Sequence, residues 1–185
     1  MANLLHVLAC FTLDMLRLRI MTITAATCLA VHFSSQPEPM LRLIQGDVGA
    51  GKTVVAAFAA LQVLEAGYQV ALMAPTEILA EQHFRKIAAW MEPLGVKVAW
   101  LTGSLKKKDK LAAYELIESG EAQLVIGTHA LIQEAVIFAN LGLVIVDEQH
   151  RFGVHQRLSL RDKGLSGERV PHQLVMTATP IPRTL

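Results

Sequence analysis

Residues 40–67, MLRLIQGDVGAGKTVVAAFAALQVLEAG, join an apolar run to a helix-forming run through a tight cluster of glycines. MLRLIQ has the composition of a strand, and KTVVAAFAALQVLEAG that of a helix with Gly67 as its stop. Between them GDVGAGKT, residues 46–53, fits G-x-x-x-x-G-K-[ST] in the strand-to-helix setting the motif requires. Gly46, Gly49 and Gly51 let the backbone through Asp47, Val48 and Ala50 fold tightly, so that successive N–H groups face phosphate oxygens. The positive end of the following helix points the same way. Lys52 is then placed to reach the β and γ phosphates of a nucleoside triphosphate, and Thr53 to offer its hydroxyl to Mg²⁺.

Working outward, apolar runs alternate with helix-length amphipathic segments. Further strands are expected at 68–74 (YQVALMA), 96–102 (VKVAWLT), 122–127 (AQLVIG), 141–147 (LGLVIVD) and 172–178 (HQLVMTA). Several are near-continuous apolar runs of the kind buried on both faces. Helices are expected over 76–91, with Thr76 as N-cap after Pro75, and over 105–120, closing at Gly120. The alternation predicts an α/β three-layer sandwich with a mostly parallel sheet, whose ligand site lies at the carboxyl ends of the strands.

At one such end stands VIVDEQH, residues 144–150. Beside a phosphate loop, Asp147 is placed as the second anchor of a phosphate-bound Mg²⁺, and Glu148 as the base that accepts a proton from attacking water. Alternatives are an ordinary strand ending in solvated acids and a histidine-rich metal site built on His150 and His155. The second is disfavoured because the two histidines lie off the i, i+4 spacing that puts ligands on one helical face, and no cysteine stands nearby.

Length and composition set the frame. The 185 residues suffice for one domain with its own core, and a net charge of +1 supplies no global field for nucleic acid. Cys10 and Cys28 lack CxxC spacing, which favours reduced thiols and a cytoplasmic setting. The segment 1–34 is apolar, with an uncharged run from Ile20 to Phe33. That run is shorter than the roughly 20 residues of a spanning helix, and Asp14 spoils a signal-peptide layout, so no membrane role is expected. SSQPEP, residues 34–39, reads as a break, and the boundary of a 35–185 domain is set there.

With both phosphate-site motifs in hand, APTEILAEQH (74–83), GTHALIQ (127–133), DEQH (147–150) and TATPIPRTL (177–185) complete a recognisable set. The chain resembles the ATP-binding lobe of superfamily 2 DEAD/DExH helicases, nearest in wording to the branch-migration enzymes of DNA repair and recombination. Transcription-repair coupling factors are similar in TATPIPRTL but typically carry DEEH. The resemblance implies a RecA-like P-loop fold, ATP and Mg²⁺ as cofactors, and branched or forked DNA as partner. It implies that Gln149, His150, Thr177 and Thr179 couple hydrolysis to movement. Pro75 and Thr76, Thr102 and Gly103, and Thr128 and His129 are similar to contacts with the DNA backbone, which position without reading sequence. For the basic run KKKDK (106–110) a solvated helix face is preferred over a phosphate contact.

The family's adenine-contacting segment, roughly FTLTxAQ, survives only as FTL (11–13), and the abrupt return to family-like sequence after it suggests a reading-frame error or rearrangement upstream. The second motor lobe and the wedge domain are missing from this chain, so the resemblance implies weak Mg²⁺-nucleotide binding and negligible hydrolysis by this piece alone. A kinase would need an acceptor pocket and lid, and a GTPase an NKxD segment; neither appears. A working motor lobe and a non-catalytic nucleotide-binding remnant share these motifs, and both readings stand.

Overall fold

The computed structural model describes residues 39–47, 49–148, 152, 163 and 170–178. The apolar segment 1–34, Val48, Gln149, His150, His155 and Thr179 lie outside them. Six strands run β1 Leu41–Gln45, β2 Gln69–Met73, β3 Val98–Leu101, β4 Leu124–Gly127, β5 Leu141–Asp147 and β6 His172–Thr177. Among the described residues three α-helices intervene: α1 Lys52–Glu65, α2 Glu77–Met91 and α3 Lys107–Glu118. The sheet order is β1-β6-β5-β2-β4-β3, and all five pairings are parallel. This is the α/β sandwich the sequence predicts, each strand falling inside its apolar run.

The helix ends follow from local chemistry. At the start of α2 the Thr76 hydroxyl accepts from the Leu79 N–H at 3.3 Å, satisfying one of the turn's orphan donors. At the end of α1, Gly67 takes the left-handed conformation (φ 84°), and the Tyr68 N–H returns to the Val63 carbonyl.

Both faces of the sheet are covered. On one, α1 through Ala56, Ala60 and Leu64 and α2 through Ile87 and Met91 pack on Val70, Leu72, Ile126, Leu143, Ile145, Leu174 and Met176. On the other, Ala113 and Ile117 of α3 pack with Leu131, Phe138 and Phe152 on Ala71, Met73, Leu101, Val125, Val144 and Val146. Strands β2 and β4 are buried along their whole length, which is why they read as unbroken apolar runs. The strand ends that carry the motifs are thereby fixed to a rigid floor.

At β3–β4 the two backbones approach so closely that a Cβ on Gly127 would lie 1.9 Å from the Leu101 carbonyl oxygen. Only glycine fits there. The same approach lets the Thr128 N–H donate to that carbonyl at 3.2 Å.

Candidate functional site

The candidate site is assembled at the carboxyl ends of β1, β6 and β5. After β1 the chain turns through Gly46 and Asp47, and Gly49 and Gly51 both take φ 86°, in the left-handed region that glycine enters without strain. Gly51 is the N-cap of α1, no side chain among the described residues caps the helix, and the Val54 N–H closes onto the Gly51 carbonyl at 3.0 Å. A helix start without a side-chain cap leaves its first donors for an anion. Ala50 is exposed on the loop, and Lys52 and Thr53, the first two residues of α1, are half-buried. The Lys52 ammonium donates to the Gly46 carbonyl at 2.6 Å and the Asp47 carbonyl at 2.9 Å, so its charge is held against the loop itself.

Opposite stands the end of β5. Asp147 is 7% exposed. Its Oδ1 accepts the Glu148 N–H at 3.1 Å, and its Oδ2 lies 2.7 Å from His83 Nε2. Glu148 has φ 48°, the positive value among the described non-glycine residues, a conformation that costs on the order of 1–3 kcal/mol. Contacts with the end of β6 help to hold it. Its N–H donates to the Met176 carbonyl at 2.9 Å, while its carboxylate accepts from the Thr177 hydroxyl at 3.3 Å and the Ala178 N–H at 3.2 Å. The strained turn swings the carboxylate over the end of β6.

Strand β6 is therefore the bridge. It lies between β1 and β5 in the sheet, and the Gly46 N–H donates to the Thr177 carbonyl at 3.2 Å. Two successive carbonyls of β6, on Met176 and Thr177, thus fix the acid turn and the start of the glycine loop respectively. With neighbouring strands about 4.8 Å apart, the loop and the acids face each other across about 10 Å, a gap suited to a phosphate chain and its counter-ion.

The remaining candidates cluster at the neighbouring strand ends. Pro75 and Thr76 follow β2, Thr102 and Gly103 follow β3, and Thr128 and His129 follow β4. Thr76, Gly103 and His129 are exposed. Thr102 and Thr128 are buried at 1% and 2% exposure, so backbone groups and the exposed neighbours, rather than these two hydroxyls, line the surface. The Thr102 hydroxyl pairs with that of Ser104 at 3.2 Å, whereas the Thr128 hydroxyl has no hydrogen-bond partner among the described residues. In the basic run, Lys106, Lys107 and Lys108 are exposed, but Lys110 turns back to donate to the Gly103 carbonyl at 2.7 Å. One lysine of that run thus belongs to the turn rather than to a free solvated face. The coupling candidates Gln149, His150 and Thr179, and the loop residue Val48, lie outside the described residues.

Sequence reading missed His83. The signal was present in the 3.6-residue spacing of Ala80, His83, Ile87 and Met91, which sets a histidine on the core face of α2.

The model of the DEAD/DEAH box helicase family matches residues 24–185. The chain belongs to the DEAD/DEAH box helicase family. Among members, it is 62% identical over 151 residues to the ATP-dependent DNA helicase RecG of Pasteurella multocida, covering 82% of this chain and 22% of that protein. Against RecG of Escherichia coli K12 the identity is 62% over 147 residues, or 80% of this chain and 21% of the relative. The chain spans about a fifth of the length of these relatives. A structure of RecG bound to a three-way DNA junction superposes with a TM-score of 0.75 at 45% identity, covering 91% of this chain and 22% of that one. A DUF1998 helicase, MrfA, shares the fold at TM-score 0.65 and 17% identity, over 82% of this chain and 26% of its own. As a DEAD/DEAH box helicase lobe, the chain has its loop and DEQH acids at the ends of β1 and β5 of a RecA-like sheet. Membership implies the use of ATP.

Proposed function

We propose that this chain is the ATP-binding motor lobe of a RecG-like ATP-dependent DNA helicase, which drives the remodelling of branched or forked DNA together with a second helicase lobe and a wedge domain. The observation that carries the proposal is the double anchorage on β6: Met176 holds the acid turn and Thr177 the glycine loop, so that two motifs about 100 residues apart form one cleft. The similarity to RecG across four-fifths of the chain supports the DNA substrate class.

In this reading ATP supplies the phosphoanhydride bond, and the protein's part is to position and to stabilise charge. Lys52 exchanges the Gly46 and Asp47 carbonyls for phosphate oxygens, a small movement of a long side chain. Gly49 and Gly51 keep backbone donors free of side-chain crowding. Thr53 and Asp147 are the protein groups that would hold Mg²⁺. Among the described residues no three His, Cys, Asp or Glu side chains gather as a metal cage. That fits Mg²⁺, which keeps several waters and takes one or two protein groups plus phosphates. Glu148, held at Thr177 and Ala178, orients the attacking water and accepts its proton. Thr76, Gly103 and His129 present the track for the DNA backbone, on the same edge of the sheet as the nucleotide cleft.

The test is binding of a fluorescent adenine nucleotide with and without Mg²⁺, alongside binding of a forked DNA. Wild type should bind the Mg²⁺-nucleotide, and Lys52→Ala should bind it about 10–100-fold more weakly. Glu148→Gln should keep binding within about twofold, yet lose at least about a hundredfold in turnover when the second lobe is present, the scale of a general base. Nucleotide binding indifferent to Lys52 would sink the reading.

A further inference from the structure

We infer that His83 is a positioning residue for Asp147, tying helix α2 to the carboxylate that faces the Mg²⁺ position. The inference rests on the function proposed above. The geometry is specific. His83 lies on the buried face of α2, 8% exposed, between Ala80 and Ile87, where an apolar residue would serve the packing. Instead its Nε2 stands 2.7 Å from Asp147 Oδ2, an ion-pair distance between elements 64 residues apart.

An ionised carboxylate only accepts, so Nε2 carries the proton and the imidazole donates. The other oxygen, Oδ1, is engaged by the Glu148 N–H at 3.1 Å. With one donor on each oxygen the carboxylate plane cannot turn about its bond to Cβ, and each oxygen keeps a lone pair for a cation or its water. Groups that hydrogen-bond a metal-facing carboxylate set its orientation, and their loss costs about 10–100-fold in metal affinity.

The link also runs along α2. His83 stands six residues beyond Glu77, a rise of about 9 Å. At that end the Glu77 carboxylate accepts the Ser104 N–H at 3.0 Å, joining α2 to the turn after β3. One rigid helix therefore contacts both the exposed strand-end turns and the acid of the cleft.

A histidine that merely fills the core would be replaceable by any side chain of similar volume. One that orients Asp147 needs a donor at the Nε2 position. Glutamine places its amide nitrogen near that point; asparagine, one methylene shorter, does not reach; leucine fills the volume without a donor. The experiment measures fluorescent ADP binding to the full chain while Mg²⁺ is titrated, with metal-free ADP affinity and thermal unfolding alongside. Expected for His83→Asn and His83→Leu is a rise of about tenfold in the Mg²⁺ concentration at half-saturation, with metal-free affinity unchanged. His83→Gln should return it to within about twofold of wild type. A half-saturation unmoved in His83→Asn, or a glutamine variant no better than asparagine, overturns the inference while leaving the nucleotide site standing. Should His83→Leu not fold, the asparagine–glutamine pair decides. Failure of wild type to bind Mg²⁺-ADP at all overturns the proposed function itself, and this inference with it.

Discussion

The two sides of the cleft are built differently. On the loop side, Lys52 is held by Gly46 and Asp47, partners five and six residues away in the chain. On the acid side, Asp147 and Glu148 are held by His83, Met176, Thr177 and Ala178, partners 28 to 64 residues away in two other segments, α2 and the end of β6. Apart from the Gly46 N–H on the Thr177 carbonyl, the loop is a local device, and it can release its lysine without disturbing that anchor. The acid turn is cross-linked and strained, so its geometry depends on the packing of α2 and β6. A ligand is met by one adaptable wall and one fixed wall.

The sharpest way to break this contrast is Lys52→Ala. Removing the proposed charge-assisted phosphate contact should weaken Mg²⁺-nucleotide binding by about 10–100-fold, since such bonds contribute roughly 1.5–3 kcal/mol. Unfolding should shift by no more than about 2 °C, because only two bonds to loop carbonyls are lost. Calorimetry and a thermal melt read both. A large loss of stability would mean that the loop side is as deeply wired as the acid side.

Next comes Gly127→Ala. The added methyl would meet the Leu101 carbonyl, part of a backbone that cannot move aside without parting β3 from β4. Overpacking of this kind costs about 1–3 kcal/mol or more, which for a chain of this size lowers the melting temperature by roughly 5–10 °C. On the proposed DNA track, binding of forked DNA should fall with it, since Gly103 and His129 stand on the two displaced ends. An alanine variant that melts like wild type would show that the two strands have room to part.

These differences explain what could be read in advance. The loop, all six strands and the ends of α1 and α2 were legible because their signals are local: glycine spacing, unbroken apolar runs, and Thr76 before a helical pattern. Asp147 and Glu148 could be singled out as types, an acidic pair after VIV, for the role proposed above. Their partners were not. No local rule says that Thr177 gives its carbonyl to Gly46 and its hydroxyl to Glu148, because that follows from β6 lying between β1 and β5. His83 was half legible, as a polar residue on an apolar stripe, but its partner is fixed only by β5 pairing with β2. The burial of Thr102 and Thr128 was hidden for the same reason: whether a strand-end hydroxyl faces solvent is settled by the neighbouring turn.

Thr177→Val probes the fixed wall alone. The valine keeps the shape and the backbone carbonyl on Gly46 but deletes the hydroxyl that donates to Glu148 at 3.3 Å. A hydrogen bond of this kind contributes about 1 kcal/mol net, so the melting temperature should drop by roughly 3 °C while metal-free nucleotide affinity holds within about twofold. A matching loss of metal-free affinity would show that the two walls are not separable.

The smallest effect is one of pH, at the opposite end of the same strands. His172, the first residue of β6, accepts the Met40 N–H on Nδ1 at 3.0 Å, pinning the entry of β1 to that of β6. Burial pushes its imidazole below the ordinary value of 6.5, because the charged form is desolvated, and protonation of Nδ1 would also abolish the bond. The folded state thus binds this proton less readily than the unfolded state. The contribution to stability is complete above pH 6.5 and declines as pH falls below it toward the depressed folded value. His172→Asn keeps an acceptor without a titrating group and should flatten that part of the stability profile, as denaturant melts between pH 7 and 5 would reveal. Because β1 is an edge strand whose sole partner among the described strands is β6, acid should loosen the loop wall before the acid wall. Protection against hydrogen exchange, relative to the intrinsic rate at each pH, that falls at Leu43 and Ile44 ahead of Ile145 and Val146 is the expected sign. The reverse order would place the weaker seam between β5 and β6.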